Sequence, residues 1–226
     1  MISNLPYHDK PSPWSSHSII AKHLDALPAQ SKILDVGTAS GTLARICQNN
    51  SLRLFGIEPN VTWAQMASAL YEKIWACSVE EMEEESLREY NAVVLGDVLE
   101  HMSAPEVVLQ KLVRLQSSST LFIISVPNVA NLWVRLNLLI GRFDYADRGI
   151  LDRTHLRFFT RKTFLALVKN SGLEIITTQV TPIPLELVSK FFVSPPGKLV
   201  HAALASLTSW LPTLLGYQFI VKARKP

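Results

Sequence analysis

The stretch at residues 33–41, Ile-Leu-Asp-Val-Gly-Thr-Ala-Ser-Gly, constrains the fold most strongly. An apolar run ends at Asp35, a loop of small residues follows, and residues 42–46 have the pattern of a helix start. This order of strand, turn and helix places backbone N–H groups and a helix N-terminus beside a ligand. Gly37 and Gly41 allow the positive φ and the close backbone approach that such a turn needs. An ordinary strand–helix connection has the same pattern. Further motifs in the chain are needed to distinguish it from a ligand-binding loop.

The composition indicates a single globular domain. The chain has 226 residues, of which 48% are hydrophobic and 18% are charged, and this length is enough for one large core. The net charge of +3, without a basic cluster interleaved with aromatic residues, argues against a nucleic-acid partner. Cys47 and Cys77 have no metal-ligand spacing and form no disulfide framework. We therefore expect no metal site, and we expect a cytoplasmic protein without a signal peptide.

Apolar runs alternate with amphipathic segments through the first half of the chain, which predicts an α/β fold with a parallel sheet covered on both faces. Strands are predicted at residues 31–36, 52–57, 73–76, 92–95 and 121–126. Helices are predicted at residues 15–27, 42–49, 63–71 and 105–115. A further helix is predicted at residues 160–169, followed by strands at residues 173–180 and 217–223.

Three segments of the single domain, residues 1–226, lie outside this alternation. Residues 1–30 hold a proline-rich arm, which includes His8, and the first helix. Residues 129–160 combine aromatic residues with closely spaced charges, and residues 182–215 are apolar with two proline breaks. We expect the second segment to cover the acceptor and the third to be helical.

Four short motifs carry a resemblance to a known family. Gly37, Ala39 and Gly41 occupy a G-x-G-x-G spacing with Asp35 two residues before it, which resembles motif I of the class I S-adenosylmethionine-dependent methyltransferases. Glu58 ends the second strand, as the ribose-binding acid does. Residues 96–101, Gly-Asp-Val-Leu-Glu-His, resemble the D-x-L-E-H stretch of the ubiquinone-biosynthesis-like branch. Residues 122–128 resemble its fifth strand and exit. A G-x-G-x-x-G dinucleotide fingerprint fits poorly, because it puts Ala39 and Thr42 on glycine positions.

The chain is thus identified as a member of the ubiquinone-biosynthesis-like, methyltransferase domain 23-type branch. The resemblance implies a Rossmann-like seven-stranded sheet in the order 3-2-1-4-5-7-6, with the last strand antiparallel and an inserted acceptor-binding cap. It also implies S-adenosylmethionine as the cofactor. Ser78 stands where the family often has an acid for the adenine amino group, and Glu80 follows two residues later. The implied cofactor-binding residues are Asp35, Gly37, Thr38, Ala39, Gly41, Glu58, Pro59, Ser78, Val79, Asp97 and Val98.

Methyl transfer to oxygen needs an aligned donor and acceptor and a group that removes a proton. His101 follows the fourth strand and His155 lies in the polar insertion, so both are candidate bases. Asp152 could orient His155 or bind an acceptor amine. Each has a structural alternative: a loop hydrogen bond for His101, an ion-pair loop for His155, and pairing with Arg153 for Asp152. The predicted catalytic residues are therefore His101, His155 and Asp152.

The insertion also supplies the predicted acceptor contacts. These substrate-binding candidates are Asn128, Phe143, Tyr145, Arg148, Arg153 and Arg157. Arginines at such a place favour an acceptor with a phosphate or carboxylate, although they could equally neutralise the aspartates at positions 144, 147 and 152. We expect O-methylation of a small molecule in a glycan, lipid-linked or natural-product pathway. The alternatives are N-methylation of a small amine and a non-catalytic cofactor-binding subunit of a partner.

Residues 199–221 carry no formal charge and are long enough to suggest a membrane span. Pro212, Gly216 and Gln218 argue against one, because the second part reads as the closing strand. We expect a helical flap packed on the core or on a second copy in a homodimer. The alternative is peripheral contact with a membrane or a lipid-linked acceptor.

Overall fold

The computed structural model describes residues 12–226, so His8 and the other residues of the arm up to residue 11 lie outside the described part. A seven-stranded sheet has the order β3-β2-β1-β4-β5-β7-β6. The first five strands are parallel, and β7 is antiparallel to both β5 and β6. The predicted order and the antiparallel last strand are confirmed. The strands are β1 (Lys32–Val36), β2 (Arg53–Ile57), β3 (Lys73–Trp75), β4 (Ala92–Gly96), β5 (Leu121–Pro127), β6 (Glu174–Thr181) and β7 (Gln218–Arg224).

The helices of the described part lie on both faces of this sheet and in the two segments that interrupt it. They are α1 (Ser16–Asp25), α2 (Thr42–Ile46), α3 (Val61–Ala67), α4 (Pro105–Leu115), α5 (Leu132–Leu139), α6 (Arg161–Asn170), α7 (Leu185–Val188), α8 (Pro195–Trp210) and α9 (Pro212–Leu215). Short 3₁₀ turns occur at Ser68–Leu70, Glu84–Leu87, Leu99–His101 and Lys190–Val193.

Most helix starts follow the capping signals in the sequence. The side chain of Ser15 accepts from Ser18 N–H and starts α1. Thr160 forms a capping box with Thr163 at the start of α6. The α2 helix is shorter than predicted, because the carboxylate of Asp25 accepts from the backbone N–H groups of residues 48 and 49 and draws that segment towards α1.

The core lies on both faces of the sheet, because successive strand residues point in opposite directions. Leu34 and Val93 face the side covered by α4. Ile33 and Val94 face the side covered by α1. All four side chains are fully buried, which explains why the strands appear in the sequence as continuous apolar runs.

Residues 129–160 form a cap beside the carboxyl ends of β4 and β5. The cap contains α5 and a loop in which Ala146 and Asp152 form an isolated β-bridge. Its buried residues Val134, Ile150 and Leu151 form a small core of their own. The backbone N–H groups of residues 156 and 157 donate to the carbonyl of Glu100 at 2.7 and 3.0 Å. The cap is therefore attached directly to the turn that follows β4.

The apolar segment at residues 182–215 contains α7, α8 and α9. Within α8, His201 and Thr208 are buried, and the His201 ring pairs with Glu186 of α7. Leu199 and Trp210 of α8 are exposed by 73% and 83%. Among residues 12–226, no helix has the length and apolar character that crossing a bilayer requires.

Candidate active site

The carboxyl ends of β1, β2 and β4 meet at one edge, where open α/β sheets bind their ligands. The loop after β1 curls back on β2, since the N–H groups of Gly37 and Thr38 both donate to the carbonyl of Ile57. Gly37 and Gly41 have φ angles of 79° and 88°, and Ala39 has a φ of 47°. Ala39 thus holds a left-handed conformation that costs a residue with a Cβ about 1–2 kcal/mol.

The Glu58 carboxylate holds that loop conformation in place. Its Oε2 accepts from the N–H of Ala39 at 2.8 Å, and its Oε1 accepts from the N–H of Asn60 at 2.9 Å. Burial raises the pKa of Glu58, and these two backbone hydrogen bonds oppose the rise. A carboxylate oxygen accepts more than one hydrogen bond, so both oxygens retain lone pairs for hydroxyl donors.

Asp35 lies buried at the end of β1. The hydroxyl of Tyr71 donates to its Oδ2 at 2.5 Å. Burial raises the pKa of Asp35 to about 6; the Tyr71 hydrogen bond opposes this shift, and the charge of Glu58 adds to it. The site thus holds an acid that ionises closer to neutral pH than an ordinary aspartate does.

Two further contacts shape the loop after β1. A Cβ on Gly37 would lie 2.8 Å from Cγ2 of Val98, so the two loops after β1 and β4 pack against each other without spare room. Arg45 Nη1 donates to the carbonyl of Ser40 at 2.6 Å. The sequence motif did not indicate Arg45, because its position on α2 gives no sign that the side chain turns back.

The turn after β3 differs from the acid pattern expected there. Val79 is buried, and the backbone N–H of Ser78 donates to Oε2 of Glu81 at 3.0 Å. The acid next to Ser78 is therefore Glu81 rather than Glu80. The spacing Ser-x-x-Glu is typical of local hydrogen bonding between a side chain and the backbone. This spacing was the sequence signal for the contact between Ser78 and Glu81. After β2, Pro59 is exposed and leads into Asn60, whose side chain caps α3.

Asp97 has a positive φ of 55° at the end of β4. Its Oδ2 accepts from Ser16 Oγ at 2.9 Å and from Gln218 Nε2 at 2.6 Å. Its Oδ1 accepts from Ser125 Oγ at 2.8 Å. The carboxylate predicted to flank the cofactor thus ties α1, β5 and β7 to the exit of β4.

His101 and His155 lie side by side, with ring centroids 4.8 Å apart and their planes at 72°. His155 Nδ1 is 3.1 Å from the carbonyl of Ile150. Since a carbonyl only accepts, this Nδ1 carries the proton and Nε2 keeps the lone pair. The Thr154 hydroxyl donates to Asp152 Oδ1 at 2.7 Å and lies 3.1 Å from His101 Nδ1. Its proton is already used, so His101 donates from Nδ1, and Nε2 is the atom that carries the lone pair when the ring is neutral.

The surroundings of His155 favour its neutral form. Burial lowers the pKa of His155, and the neighbouring His101 lowers it further. Burial opposes ionisation of Asp152, but the hydroxyl and backbone N–H of Thr154 more than compensate and lower its pKa. Asp152 thus acts on His101 through Thr154 rather than by a direct hydrogen bond to His155. The sequence did not indicate this indirect arrangement.

An aromatic cluster in the cap adjoins the histidines. Phe143 contacts Tyr145 and Phe158 edge to face, with centroids 5.8 and 5.5 Å apart. The Phe158 ring lies 6.2 Å from that of His155. The structure therefore brings the predicted Phe143 and Tyr145 together and adds Phe158. Its neighbour Phe159 is buried in the main core, and the sequence did not indicate which of the two faces the cap.

The predicted arginines have separate positions. Arg153 Nη2 pairs with Asp147 Oδ1 at 2.7 Å. This contact matches the alternative in which the arginines neutralise aspartates of the loop, and not the alternative in which Arg153 pairs with Asp152. Arg157 Nε donates to the carbonyl of Ser103 at 3.0 Å. Arg148 is exposed on the same loop.

The prediction that Asn128 contacts the acceptor needs correction. The residue is fully buried. Its Nδ2 donates to the carbonyls of Thr213 and Gly216, and its Oδ1 accepts from the N–H of Ala130. Asn128 therefore joins the start of the cap to α9, and its amide has no exposed surface.

This arrangement of glycine loop, strand-end acids and inserted cap is the one that the resemblance to class I methyltransferases implies. The chain matches the profile of a methyltransferase domain family, type 23, over residues 13–178. A search of curated proteins gives no match. The chain belongs to this methyltransferase family, and its cofactor is S-adenosylmethionine.

Solved structures show the same fold. A SAM-dependent methyltransferase from Archaeoglobus fulgidus has a TM-score of 0.62 at 14% identity, covering 92% of each chain. The 1,6-didemethyltoxoflavin-N1-methyltransferase of Burkholderia thailandensis, with S-adenosylhomocysteine bound, has a TM-score of 0.59 at 17% identity. That alignment covers 96% of this chain and 79% of the other. The [4+2]-cyclase SpnF has a TM-score of 0.59 at 18% identity, covering 97% and 84%.

The residues at the sheet edge fit this cofactor. Glu58 is fixed by two N–H groups and retains acceptor capacity for the two ribose hydroxyls. The positive φ angles of Gly37 and Gly41 leave space for backbone approach. S-adenosylmethionine supplies an activated methyl group on a sulfonium; the chain has to bind and orient it.

Proposed function

We propose that the protein transfers the methyl group of S-adenosylmethionine to a hydroxyl oxygen of a small acceptor in a glycan, lipid-linked or natural-product pathway of the cytoplasm. The observation that carries this proposal is the histidine pair beside the cofactor edge. His101 and His155 each hold Nδ1–H on an acceptor group, so Nε2 is the atom that carries the lone pair in each neutral ring. A hydroxyl has to lose its proton as the carbon–oxygen bond forms, and neutral imidazoles suit that task.

In this proposal the cofactor lies along the carboxyl ends of β1 to β4. Glu58 and the loop after β1 receive the ribose and the amino-acid part, and the turn after β3 receives the adenine. The proposed contacts are Asp35, Gly37, Thr38, Ala39, Gly41, Glu58, Pro59, Ser78, Val79, Asp97 and Val98, joined by Glu81. The fixed carboxylate of Glu58 and the tight packing of Gly37 on Val98 support this placement.

The acceptor lies between the histidines and the cap. Phe143, Tyr145 and Phe158 offer an apolar wall next to His155. Arg148 is the proposed contact for an acidic group of the acceptor, because Arg153 and Arg157 already bond to Asp147 and to a backbone carbonyl. A ring-bearing acceptor with a phosphate or carboxylate fits both features.

N-methylation is the second candidate, and Asp152 is the observation in its favour. Its lowered pKa keeps the carboxylate ionised, and an ionised carboxylate beside the histidines suits an amine acceptor. One fold neighbour is named as an N-methyltransferase. The two candidates differ in which atom receives the methyl group.

A screen of acceptors with methyl-labelled S-adenosylmethionine tests both candidates. Phenols, sugars and lipid-linked sugars are compared with matched amines, and mass spectrometry locates the label on oxygen or nitrogen. His101→Gln and His155→Gln should each reduce O-methylation by about 10²-fold or more, whereas the matched His23→Gln should not. Turnover that both replacements leave unchanged would contradict the histidine role. Labelling of no acceptor at all would favour the non-catalytic subunit.

The exposed apolar face of α7 and α8 is proposed to contact a lipid surface, which would bring the enzyme to a lipid-linked acceptor. Val188, Leu199 and Trp210 are exposed by 72%, 73% and 83%. The exposed Lys190 and Lys198 lie on the same segment, and their charge suits anionic headgroups.

Co-sedimentation with phosphatidylglycerol vesicles tests this contact. Leu199→Ser and Trp210→Ser should weaken it, whereas Val107→Ser, at an exposed apolar position on α4, should not. A homodimer in light scattering that the α8 variants dissociate would instead assign the face to a second copy.

A further inference from the structure

We infer that Glu100, His101 and His155 form a binding site for a divalent transition-metal ion such as Mn²⁺ or Zn²⁺. One potential ligand atom from each of the three residues lies within 4.8 Å of the other two. Bonds of about 2.1 Å place neighbouring ligand atoms about 3–3.5 Å apart. Only a modest closing of the triad is needed, and His101 is its partly exposed member.

The orientation of the two rings is the one that metal-binding histidines adopt. Such a histidine usually donates its second N–H to a carbonyl or carboxylate, which fixes the ring and its tautomer. His155 Nδ1 is bonded to the carbonyl of Ile150. His101 Nδ1 is bonded to Thr154, whose hydroxyl is in turn fixed by Asp152. Both Nε2 atoms are thereby left as ligands.

The backbone holds the two halves of the triad together before any ion arrives. The carbonyl of Glu100 accepts from the N–H groups of Leu156 and Arg157. These bonds fix the residues next to His155 against the turn that carries Glu100 and His101. The site is therefore built into the attachment of the cap, although His155 lies more than fifty positions after Glu100 and His101 in the chain.

Burial and ligand type indicate the kind of ion. Glu100 is only 1% exposed, with both carboxylate oxygens buried, and His155 is 9% exposed. The partly exposed His101 marks the open side. Two imidazoles and one carboxylate favour transition ions over Mg²⁺ and Ca²⁺, which prefer all-oxygen sites.

The chemistry of this ion rests on the proposed O-methylation. Three protein ligands leave coordination positions for the acceptor hydroxyl, and a bound divalent ion lowers the pKa of such a group. The proton leaves to water, and the oxygen forms its bond to the methyl carbon. The carbon–sulfur bond breaks, and the sulfur keeps the electron pair. When the ion is bound, the Nε2 lone pairs are its ligands and water takes the proton; the histidines act as bases only in the metal-free chain.

Calorimetry of the full-length chain, stripped with EDTA and free of acceptor, tests the site. We expect one Mn²⁺ or Zn²⁺ per chain and weaker binding of Mg²⁺. Glu100→Gln and His101→Ala should lower the affinity about 100-fold or more, and Thr154→Val by about 10–100-fold. His23→Ala, which removes an imidazole at the Gln179 contact, should bind the ion as the native chain does. Circular dichroism confirms that the partly exposed His101 variant is folded.

Two results would overturn this inference: no binding of Mn²⁺ or Zn²⁺ at millimolar concentration, or unchanged binding in the folded Glu100 and His101 variants. Its failure is distinguishable from that of the proposed function. Hydroxyl methylation that continues in EDTA removes the metal ion from the mechanism alone. Metal binding without methylation of any hydroxyl acceptor removes the proposed function alone.

Discussion

The proposed donor side and the proposed acceptor side of this site are built in different ways. On the donor side, backbone conformation makes the site: Gly37 and Ala39 adopt positive φ, and Glu58 accepts from the N–H of Ala39. On the acceptor side, side chains held by other side chains make it: Asp152 holds Thr154, which holds His101. We therefore expect substitutions on the donor side to change the shape of the loop after β1. Substitutions on the acceptor side should change the orientation and charge of the histidine side chains.

The largest effect is expected for Gly37→Ala. The added Cβ would meet Cγ2 of Val98 at 2.8 Å at a φ of 79°, so the loop has to move. Affinity for S-adenosylhomocysteine should fall about 100-fold or more, which corresponds to about 2.7 kcal/mol. The unfolding free energy should fall by about 1–2 kcal/mol from backbone strain. Calorimetry and chemical denaturation measure the two quantities.

Gly172→Ala is the matched control for this change. Its φ is 87°, but its nearest neighbour would be Cγ1 of Val113 at an ordinary 3.8 Å. This variant should lose stability to a similar extent and bind the cofactor product normally. Equal losses of cofactor affinity in both variants would mean that the conformation of the loop after β1 does not determine cofactor binding.

Asp35→Asn should stabilise the protein in a pH-dependent way. The pKa of Asp35 is about 6 when folded, against an ordinary 3.8, so the folded chain binds more protons between these values. Stability is lost as the pH rises through this window, and the asparagine variant avoids that loss. The gain should be absent near pH 4 and reach about 1–3 kcal/mol above pH 7, measured by urea unfolding.

Tyr71→Phe tests the same carboxyl group, but it should lower the stability of the protein instead of raising it. It removes the hydroxyl that donates to the ionised Asp35, so stability at pH 8 should fall by about 1 kcal/mol. An asparagine variant less stable than the native chain at pH 8 would contradict the assignment.

Glu58→Gln should weaken cofactor binding by about 10–100-fold. Glutamine has a single oxygen, so its amide cannot accept from both Ala39 and Asn60 as the carboxylate does. Glu72→Gln is the control, since it removes a carboxylate from an exposed pair with Arg53 and should leave binding unchanged. Isothermal titration with S-adenosylhomocysteine compares the two; equal affinities would show that Glu58 lies off the cofactor.

The smallest effect is expected for Thr154→Val on the acceptor side. It cuts the link between Asp152 and His101 but touches no donor residue. We expect kcat to fall about tenfold, with an unchanged KM for S-adenosylmethionine. Thr154→Ser should restore activity because it keeps the hydroxyl. A raised KM for the donor, or no rescue by serine, would indicate a structural role and remove the contrast between the two sides.

The residues of the proposed donor side could be selected from the sequence because their signals are local. Gly37, Gly41 and Asp35 follow one another within seven positions, and the strand ends bring Glu58 beside them. The sheet order followed from the resemblance, and the structure confirms it.

The acceptor side could not be predicted to the same depth, because its contacts join segments far apart in the chain. The pairing of Arg153 with Asp147 depends on how the cap loop folds back. The burial of Asn128 depends on α9, more than eighty positions later. The Glu100–His101–His155 triad depends on the attachment of the cap, and neither spacing nor composition indicated it.

The position of β7 has a consequence for the order in which the protein forms on the ribosome. β7 follows β6 in the chain but lies between β5 and β6 in the sheet, and within the described residues β6 pairs with β7 alone. Gln218 of β7 also completes the set of donors around Asp97. Until β7 has been synthesised, α6 and β6 lack their place in the sheet and the exit of β4 is incompletely held. A nascent chain should therefore remain inactive and protease-sensitive from α6 onwards until residue 224 leaves the exit tunnel.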